Sequence, residues 1–322
     1  MKDLDSAGLD CLAALADERS FERAAQRLSV TQSAVSQRLR SLEAQVGQLL
    51  VVRSRPLRLT ETGQVLLRFA RQLQALRSDV ARELGARVTQ HERIAIAVNA
   101  DSLATWVLPA LDALARRGIG LELVVDDQDF THDWLREGEV LGCVSTVRQA
   151  LRGCELRPLG VMRYVAVASP GFIAQALPEG LNAANFAQLP FLVFNRKDDN
   201  HLQWVSRAFG VRSPRLNERY VPSSEGMLRA ACMGWGIGVV PELQARDLLG
   251  RGDLQQLRPE VSVDVTLFWH QWKLMTEAIA TPGRVALLDQ IGEALAAGAR
   301  KALQQEKAPL SASPKKRPAR RA

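Results

Sequence analysis

The chain has 322 residues, of which 47% are hydrophobic and 24% charged, so we expect a globular protein of about two domains. No apolar run approaches the roughly 20 residues that span a bilayer, and the N-terminus lacks a signal-peptide pattern. The four cysteines are scattered without CxxC pairs, which argues against a disulfide framework or a zinc finger and fits a reducing cytoplasm.

The formal net charge of +7 is unevenly distributed along the chain. Residues 307–322 carry six positive charges and no acid, so residues 1–306 have a net charge of only +1. Residues 23–58 contain seven arginines against one acid, whereas residues 122–139 contain seven acids against one arginine. A basic patch on a folded domain is typical of nucleic-acid binding.

Residues 7–47 are predicted to form three short helices. Ser20 and Thr31 are suited to cap the second and third helices, and Gly47 is suited to end the third. The apolar face of the third helix is formed by Val35, Leu39, Leu42 and Val46. Residues 49–59 favour strands on both sides of Pro56, which predicts a small hairpin or wing.

A long helix is predicted to begin at residues 60–62 and to run to about Leu84. Its apolar positions repeat at nearly heptad spacing, and they are Leu66, Phe69, Leu73, Leu76, Val80 and Leu84. We expect this stripe to pair with the same helix of a second chain. Packing of the stripe against its own domain is the alternative.

From Ile94 onward, predicted strands and helices alternate. The strands are 94–98, 121–125, 140–144, 163–168, 191–194, 237–240 and 263–269, and helices are expected at 103–117 and about 131–138. Such alternation indicates a mostly parallel sheet, whose ligands bind outside the carboxyl ends of the strands. Periodicity is lost from Gly298, and the basic, proline-containing tail is predicted to be disordered.

The segment 21–43 has the pattern of a helix-turn-helix, in which the second helix enters the major groove of DNA. The side chains expected to face base edges are Gln32, Ser33, Ser36, Gln37 and Arg40. Thr31, Ser33, Arg53 and Arg55 are suited to phosphate oxygens. A small helical bundle with a polar face is the alternative, and the excess of arginine argues against it.

This segment resembles the N-terminal winged helix-turn-helix of LysR-type transcriptional regulators. The residues that follow it also fit the family, and they are Gly47, Leu50, Arg53, Leu59, Thr60 and Gly63. Val51 departs from the family, which usually has phenylalanine there. The runs 99–106, 136–140 and 223–225 resemble the branch that responds to arginine or lysine and regulates export of basic amino acids. The resemblance extends to about residue 303.

The resemblance implies a multidomain fold: an all-α winged helix-turn-helix, a long linker helix, and two α/β subdomains like those of periplasmic binding proteins. We expect the DNA-binding domain at 1–59, the linker at 60–92, the effector domain at 93–300 and the tail at 301–322. Lobe I would comprise about 93–164 and 268–300, and lobe II about 165–267. Two strands near 163–168 and 264–269 would cross between the lobes.

The resemblance also implies an effector cleft between the two lobes. Free amides at the helix start, Ser102 to Thr105, would attract the α-carboxylate of an amino acid. The acids Asp126, Asp127 and Asp129 follow the second strand and could pair with an ammonium or guanidinium group. Lobe II offers Ser223 and Glu225, and less specifically Asp198 and Asp199, which Arg196 and Lys197 could simply neutralise.

Several other functions were weighed against this prediction. An enzyme with a DNA-binding head would need a nucleophile–base pair or a cofactor motif, and the sequence shows neither, so we predict no catalytic residue, cofactor or metal. The glycine-rich run 234–238 is better explained as a tight turn between a helix and a strand. A divalent cation at the acidic stretch, an organic or aromatic acid as effector, and a solute-binding module without DNA remain alternatives. The expected partners are an operator in double-stranded DNA, a basic amino acid, further copies of the chain as dimer or tetramer, and RNA polymerase.

Overall fold

The computed structural model describes residues 4–83, 93–126, 131–273 and 287–304. Its first part consists of α1 (Ser6–Glu18), α2 (Phe21–Arg27), α3 (Gln32–Val46) and an antiparallel hairpin of β1 (Val51–Val52) and β2 (Arg58–Leu59). The predicted caps are confirmed. Ser20 Oγ accepts a hydrogen bond from the Arg23 amide, Thr31 Oγ1 accepts one from the Ala34 amide, and Gly47 ends α3 with φ of 78°.

One small apolar core holds these three helices and the hairpin together. The fully buried leucines of α1 pack against the buried face of α3, which is Val35, Leu39 and Leu42 as predicted. Each such side chain contributes about 1.5–3 kcal/mol to the free energy of folding when it is buried. Because this burial fixes the apolar face of α3 inward, the polar face of the helix points toward solvent. Leu50 and Leu57 extend the core under the hairpin.

The long helix α4 (Glu61–Glu83) begins where it was predicted, but its apolar stripe is divided between two surfaces. Leu67 and Ala70 are buried within the N-terminal helices, and Leu66 and Leu73 pack beside them. Phe69 and Val65 remain exposed, by 44% and 52%. Part of the predicted dimer stripe therefore packs on its own domain. Leu84 lies outside the described residues.

The rest of the described chain is built on a nine-stranded sheet. The strands are β3 (Arg93–Asn99), β4 (Gly120–Asp126), β5 (Gly142–Ser145), β6 (Cys154–Ala168), β7 (Pro190–Val193), β8 (Asn217–Tyr220), β9 (Ile237–Pro241), β10 (Gln255–Leu257) and β11 (Val263–Trp272). Their order is β4-β3-β5-β11-β6-β9-β7-β8, and β10 pairs with β6. Parallel pairing holds β3 to β4 and β5, and holds β7 to β8 and β9. Two parallel groups therefore lie at opposite ends of the sheet.

The two long antiparallel strands β6 and β11 connect these groups. One end of β11 pairs with β5, whereas the far end of β6 pairs with β9. Both strands are longer than predicted, and β6 continues through Pro158 and Gly160. The structure absorbs it with a register shift between Leu267 and Phe268. The predicted crossing of two strands between two lobes is confirmed.

Helices cover both faces of the sheet. After β3 come α5 (Ala100–Ser102), a π-helical turn (Leu103–Val107) and α6 (Leu108–Arg116), so this helical stretch starts three residues earlier than predicted. The remaining helices are α7 (Thr131–Glu137), α8 (Pro170–Ala176), a 3₁₀ turn (Phe186–Gln188), α9 (Asn200–Phe209), α10 (Ser224–Cys232), α11 (Glu242–Arg251) and α12 (Leu287–Ala302). Of these, α7 was predicted with its approximate bounds, and the predicted helix-to-strand turn at 234–238 corresponds to the connection from α10 to β9.

The predicted loss of regular structure from Gly298 is wrong. Helix α12 continues to Ala302, and its Ala299 is fully buried. A side chain at Gly298 would collide with Ala110 of α6, so the glycine permits close packing of the two helices rather than ending one. The rest of the basic tail, 305–322, lies outside the described residues.

In the described part of the chain, no helix has both the length and the apolar composition needed to cross a membrane.

Candidate functional site

The polar side of α3 forms the first candidate site. Gln32, Ser33, Gln37 and Arg40 are exposed, and Ser36 is half-buried. Thr31 lies at the N-terminal end of the helix, where its hydroxyl caps the Ala34 amide and lies 2.9 Å from Ser33 Oγ. The first turn therefore presents hydroxyl groups, and the exposed face beyond it presents amide and guanidinium groups. These are the side-chain types that read base edges in a major groove.

The hairpin adds two arginines beside this helix. Arg53 and Arg55 are exposed, and the Arg53 guanidinium lies over the Phe21 ring, 5.1 Å from the ring centroid. The aromatic ring restricts the orientation of the guanidinium without consuming its N–H donors. A positively charged group held in this way is suited to contact a phosphate.

The basic patch is smaller than the count of seven arginines suggests. Arg23 and Arg27 form ion pairs with Glu18 and Asp17 at the end of α1. By contrast, Arg40, Arg53 and Arg55 make no ion pair with any carboxylate among the described residues. The uncompensated charge is thus concentrated on α3 and the hairpin.

The second candidate site is a pocket where the carboxyl ends of β3, β4 and β7 approach one another across the two lobes. It is a small concavity that is open to solvent. Its lining residues are Asn99, Ala100, Asp101, Asp126, Phe194, Asp198 and Asn200. The parallel register places Asn99 next to Asp126, and the β7–α9 connection supplies the facing side. This is the position at which open α/β sheets bind ligands.

Asp101 bridges the two lobes inside this pocket. Its carboxylate accepts hydrogen bonds from Tyr164 Oη of β6, at 2.7 Å, and from Ser224 Oγ of α10, at 2.5 Å. Burial raises the pKa of the Asp101 carboxyl, the two hydrogen bonds oppose that rise, and the charge of Asp198 adds to it. The two lobes are therefore tied together through one carboxylate at the ligand position.

The pocket lining is rich in hydrogen-bond acceptors. Asp198 accepts hydrogen bonds from the amides of Phe194 and Asn200, which fixes its carboxylate at the pocket wall. The side-chain oxygens of Asn99 and Asn200 are buried and have no partner among the described residues. Three carboxyl groups and two unpartnered amide oxygens thus line the pocket together, and none of the described lining residues is basic. Such a lining suits a ligand that carries positive charge and several N–H donors.

The sequence-predicted effector residues are brought together only in part. Asp126 lines the pocket, whereas Asp127 and Asp129 lie outside the described residues. Ser102 and Thr105 do not begin the helix, because Asn99 and Ala100 do. The Ser102 hydroxyl is buried without a described partner, and the Thr105 hydroxyl donates to the Asp101 carbonyl at 2.6 Å.

The two residues predicted in lobe II, Ser223 and Glu225, do not line this pocket. Ser223 is exposed and caps α10 by accepting from the Gly226 amide, and Glu225 is exposed on the same helix. Ser224, between them, is buried and donates to Asp101. Two other acids of the stretch 122–139 form ion pairs elsewhere, since Asp133 pairs with Arg136 and Glu139 pairs with Arg19 of the N-terminal helices.

Asp101, Asn99 and Asn200 line the pocket and were not among the predicted effector residues. A sequence pattern that indicates two of them is a polar residue directly after a buried apolar run, since Asn99 and Asp101 follow the apolar residues of β3. For the alternative of a divalent cation, the described residues hold no group of three or more metal-ligating side chains.

Two family models match the chain. Residues 7–64 match the helix-turn-helix of bacterial regulatory proteins of the lysR family, and residues 88–282 match the LysR substrate binding domain. The transcriptional regulator ArgP of Aeromonas salmonicida is 42% identical over 296 residues, which is 89% of this chain and 99% of that protein. The transcriptional regulator LysG of Mycobacterium tuberculosis H37Rv is 43% identical over 278 residues, or 86% of this chain and 90% of the relative.

Solved structures show the same architecture. The crystal structure of ArgP from Mycobacterium tuberculosis has a TM-score of 0.77 at 40% identity, and the match covers 94% of this chain and all of that one. Full-length LysG from Corynebacterium glutamicum, solved with its effector arginine bound, has a TM-score of 0.68 at 34% identity, with coverage of 93% and 99%. The similarity therefore extends over both the N-terminal helices and the two-lobed sheet.

Proposed function

The chain belongs to the LysR family of DNA-binding transcriptional regulators, and from this premise we propose that it responds to a basic amino acid, arginine or lysine. The family consists of regulators rather than enzymes. The genes under control would serve the export or metabolism of basic amino acids.

The observation that carries the proposal is the acceptor-rich pocket. Asp126 and Asp198 supply negative charge, and the oxygens of Asn99 and Asn200 are buried and lack described partners. An unpaired buried acceptor costs about 1–3 kcal/mol, which a guanidinium or ammonium donor would recover. An organic or aromatic acid, the alternative effector, would place its own negative charge against these carboxylates.

The same lining indicates how the amino acid would be oriented. We place the cationic side chain toward Asp126 and Asp198, which both line the pocket, one from each lobe. The α-carboxylate would lie at the first-turn amides of residues 100–102, beside Ser102, where the helix dipole is favourable. The solved relative from Corynebacterium glutamicum supports this choice of ligand, because its effector is arginine.

DNA would be contacted by the N-terminal helices. We assign base contacts to Gln32, Ser33, Ser36, Gln37 and Arg40, and phosphate contacts to Thr31, Arg53 and Arg55. The support is the exposure of these side chains around α3 and the hairpin. In a dimer, two such helices would reach half-sites about 34 Å apart along one face of the duplex.

The assembly proposed is a homodimer, and a dimer of dimers, joined through the exposed part of α4. The division into 1–59, 60–92, 93–300 and a basic tail remains our proposal for its domains. The protein would act in the cytoplasm and contact RNA polymerase at the promoter. Effector binding would shift the population of relative arrangements of the subunits and so change how the paired recognition helices meet DNA.

Isothermal titration calorimetry of the full chain tests the effector. Arginine or lysine should bind, and glutamate and benzoate should not. Asp198→Asn should weaken binding by about tenfold or more, because it removes a charge-assisted contact. Asp112→Asn, which alters an exposed carboxylate paired with Arg116, is the matched control and should bind like the wild type. Binding of benzoate and silence toward both basic amino acids would refute the proposal.

A further inference from the structure

We propose that Trp134 is a positioning residue that couples the effector pocket to the DNA-binding helices of the same chain through Glu139. This inference rests on the proposed function, because it concerns how occupation of the pocket reaches the DNA-binding helices. It is carried by a series of hydrogen bonds from Asp126, through α7, to α1 and α4.

The pocket end of the route is a single hydrogen bond. Trp134 Nε1 donates to Asp126 Oδ2 at 2.9 Å, and Asp126 lines the pocket. The indole has one N–H and no other polar atom, so this bond fixes its orientation. A cationic ligand at Asp126 competes for the same carboxylate and thereby acts directly on the indole.

Helix α7 carries the connection away from the pocket. Trp134 lies in its middle, and the neighbouring Leu135 is fully buried beneath it. The Trp134 carbonyl accepts hydrogen bonds from the amides of Glu139, at 2.9 Å, and Val140, at 3.4 Å. The turn that presents Glu139 is therefore held by the same residue whose indole contacts the pocket.

The far end of the route is a salt-bridge cluster with the DNA-binding helices. Glu139 Oε1 accepts from Arg19 Nη2 at 2.7 Å, and Glu139 Oε2 lies 3.3 Å from Arg71 Nη2. The Glu139 carbonyl also accepts from Arg71 Nη1, at 2.5 Å. Arg19 caps the C-terminus of α1, and Arg71 belongs to α4 and also bonds Asp17 at 2.6 Å. Both partners of Glu139 thus lie on elements packed in the DNA-binding core.

The salt-bridge cluster around Glu139 is partly buried, which makes the loss of either partner costly. The side chains of Glu139 and Arg71 are each only 13% exposed, whereas the Asp112–Arg116 pair on α6 is 54% and 79% exposed. Loss of one partner from a partly buried pair leaves a charge poorly solvated, whereas loss of an exposed pair costs little. Gly138 adds to the close approach, since a side chain there would collide with Arg68 of α4.

Hydrogen–deuterium exchange of the full chain, with and without saturating free L-arginine or L-lysine, tests the coupling. In the wild type, either ligand should change exchange at the end of α1 and in α4 around residues 15–19 and 68–72, by about fivefold or more. Trp134→Phe keeps the ring and removes the N–H, and Glu139→Gln removes the charge. Both should still bind the ligand by calorimetry but lose most of the response in α1 and α4.

Arg116→Ala is the control variant, and it should respond like the wild type. If Glu139→Gln does not fold, Arg19→Gln takes its place, because it removes the charge that Glu139 pairs with on the α1 side. A full α1 response in Trp134→Phe, or in every folded variant of Glu139 and Arg19, would overturn the coupling. Wild-type binding without any response in α1 or α4 would overturn the coupling alone. Failure of the wild type to bind either amino acid would overturn the proposed function, and the coupling with it.

Discussion

Arg53 is held on the hairpin by the ring of Phe21, with no described carboxylate paired to it. Its neighbours Arg23 and Arg27 are compensated by acids of α1. The Arg53 guanidinium is therefore available to bind a phosphate, whereas those of Arg23 and Arg27 are already paired. The number of arginines in the sequence does not reveal this difference. This difference gives a prediction specific to one side chain.

Arg53→Ala should weaken binding to all DNA sequences by a similar factor. It should also lower the slope of log K against log salt concentration by about 0.9, the value for one lost phosphate contact. Fluorescence anisotropy at several salt concentrations measures both. Arg251→Ala, an exposed arginine paired with Asp253 in lobe II, is the control and should change neither. If Arg53→Ala reduced binding only at a specific site, the phosphate assignment would be wrong.

His270 makes the fold sensitive to acid. It is fully buried, its Nε2 bonds the Val147 carbonyl at 2.9 Å, and its Nδ1 has no described partner. Burial, together with the nearby His132, lowers its pKa to about 4 from 6.5. Since the unfolded chain then binds the proton more readily, the free energy of unfolding should fall as pH drops from about 6.5 to 4.

The expected slope from this residue is at most about 1.4 kcal/mol per pH unit. Urea unfolding at pH 7, 5.5 and 4.5 should show a shallower acid loss for His270→Asn than for the wild type, even though the variant is less stable at pH 7. An identical pH dependence in both proteins would show that His270 does not remain neutral in the native state.

At the scale of elements, helix α4 was predicted correctly as a helix, but the surface that covers its apolar residues was predicted only in part. The near-heptad spacing correctly indicated a long amphipathic helix, but spacing does not state which neighbour covers each apolar residue. Leu66 and Leu73 of the predicted stripe pack against the N-terminal helical core, whereas Phe69 remains 44% exposed. The exposed part is the surface we assign to the dimer.

Phe69→Ser should weaken the dimer. Twofold symmetry removes the side chain twice, so the loss of about 1.5–3 kcal/mol per copy predicts a dissociation constant raised by about a hundredfold or more. Sedimentation velocity over a dilution series measures it. Val52→Ser changes an equally exposed apolar residue on the hairpin and should leave the dimer intact. A wild-type chain that stays monomeric, or a Phe69→Ser dimer of unchanged strength, would contradict the assignment.

The fold was predictable from sequence where the signal is local. Caps at Ser20 and Thr31 and the buried stripe of α3 depend on neighbours within a few residues, and they were correct. The pocket was predictable only in position. Which of Ser223, Ser224 and Glu225 faces Asp101 depends on how one lobe is placed against the other, so the hydrogen bond from Ser224 was not predictable from sequence.

For the whole molecule, the net charge of +7 conceals an opposition between two regions. Uncompensated arginines lie on α3 and the hairpin, and carboxylates line the pocket between the lobes. A single chain can thus attract a polyanion at one end and a small cation at the other. Regulation requires that these two sites influence each other.

The most direct test of the account is DNase footprinting of the full chain on genomic fragments that it selects, with and without saturating arginine or lysine. The account predicts a protected site whose extent or affinity changes with the basic amino acid and not with glutamate. The Asp198→Asn variant should protect the same site and require at least about tenfold more ligand for the change. A footprint that is identical with and without both basic amino acids would contradict the account.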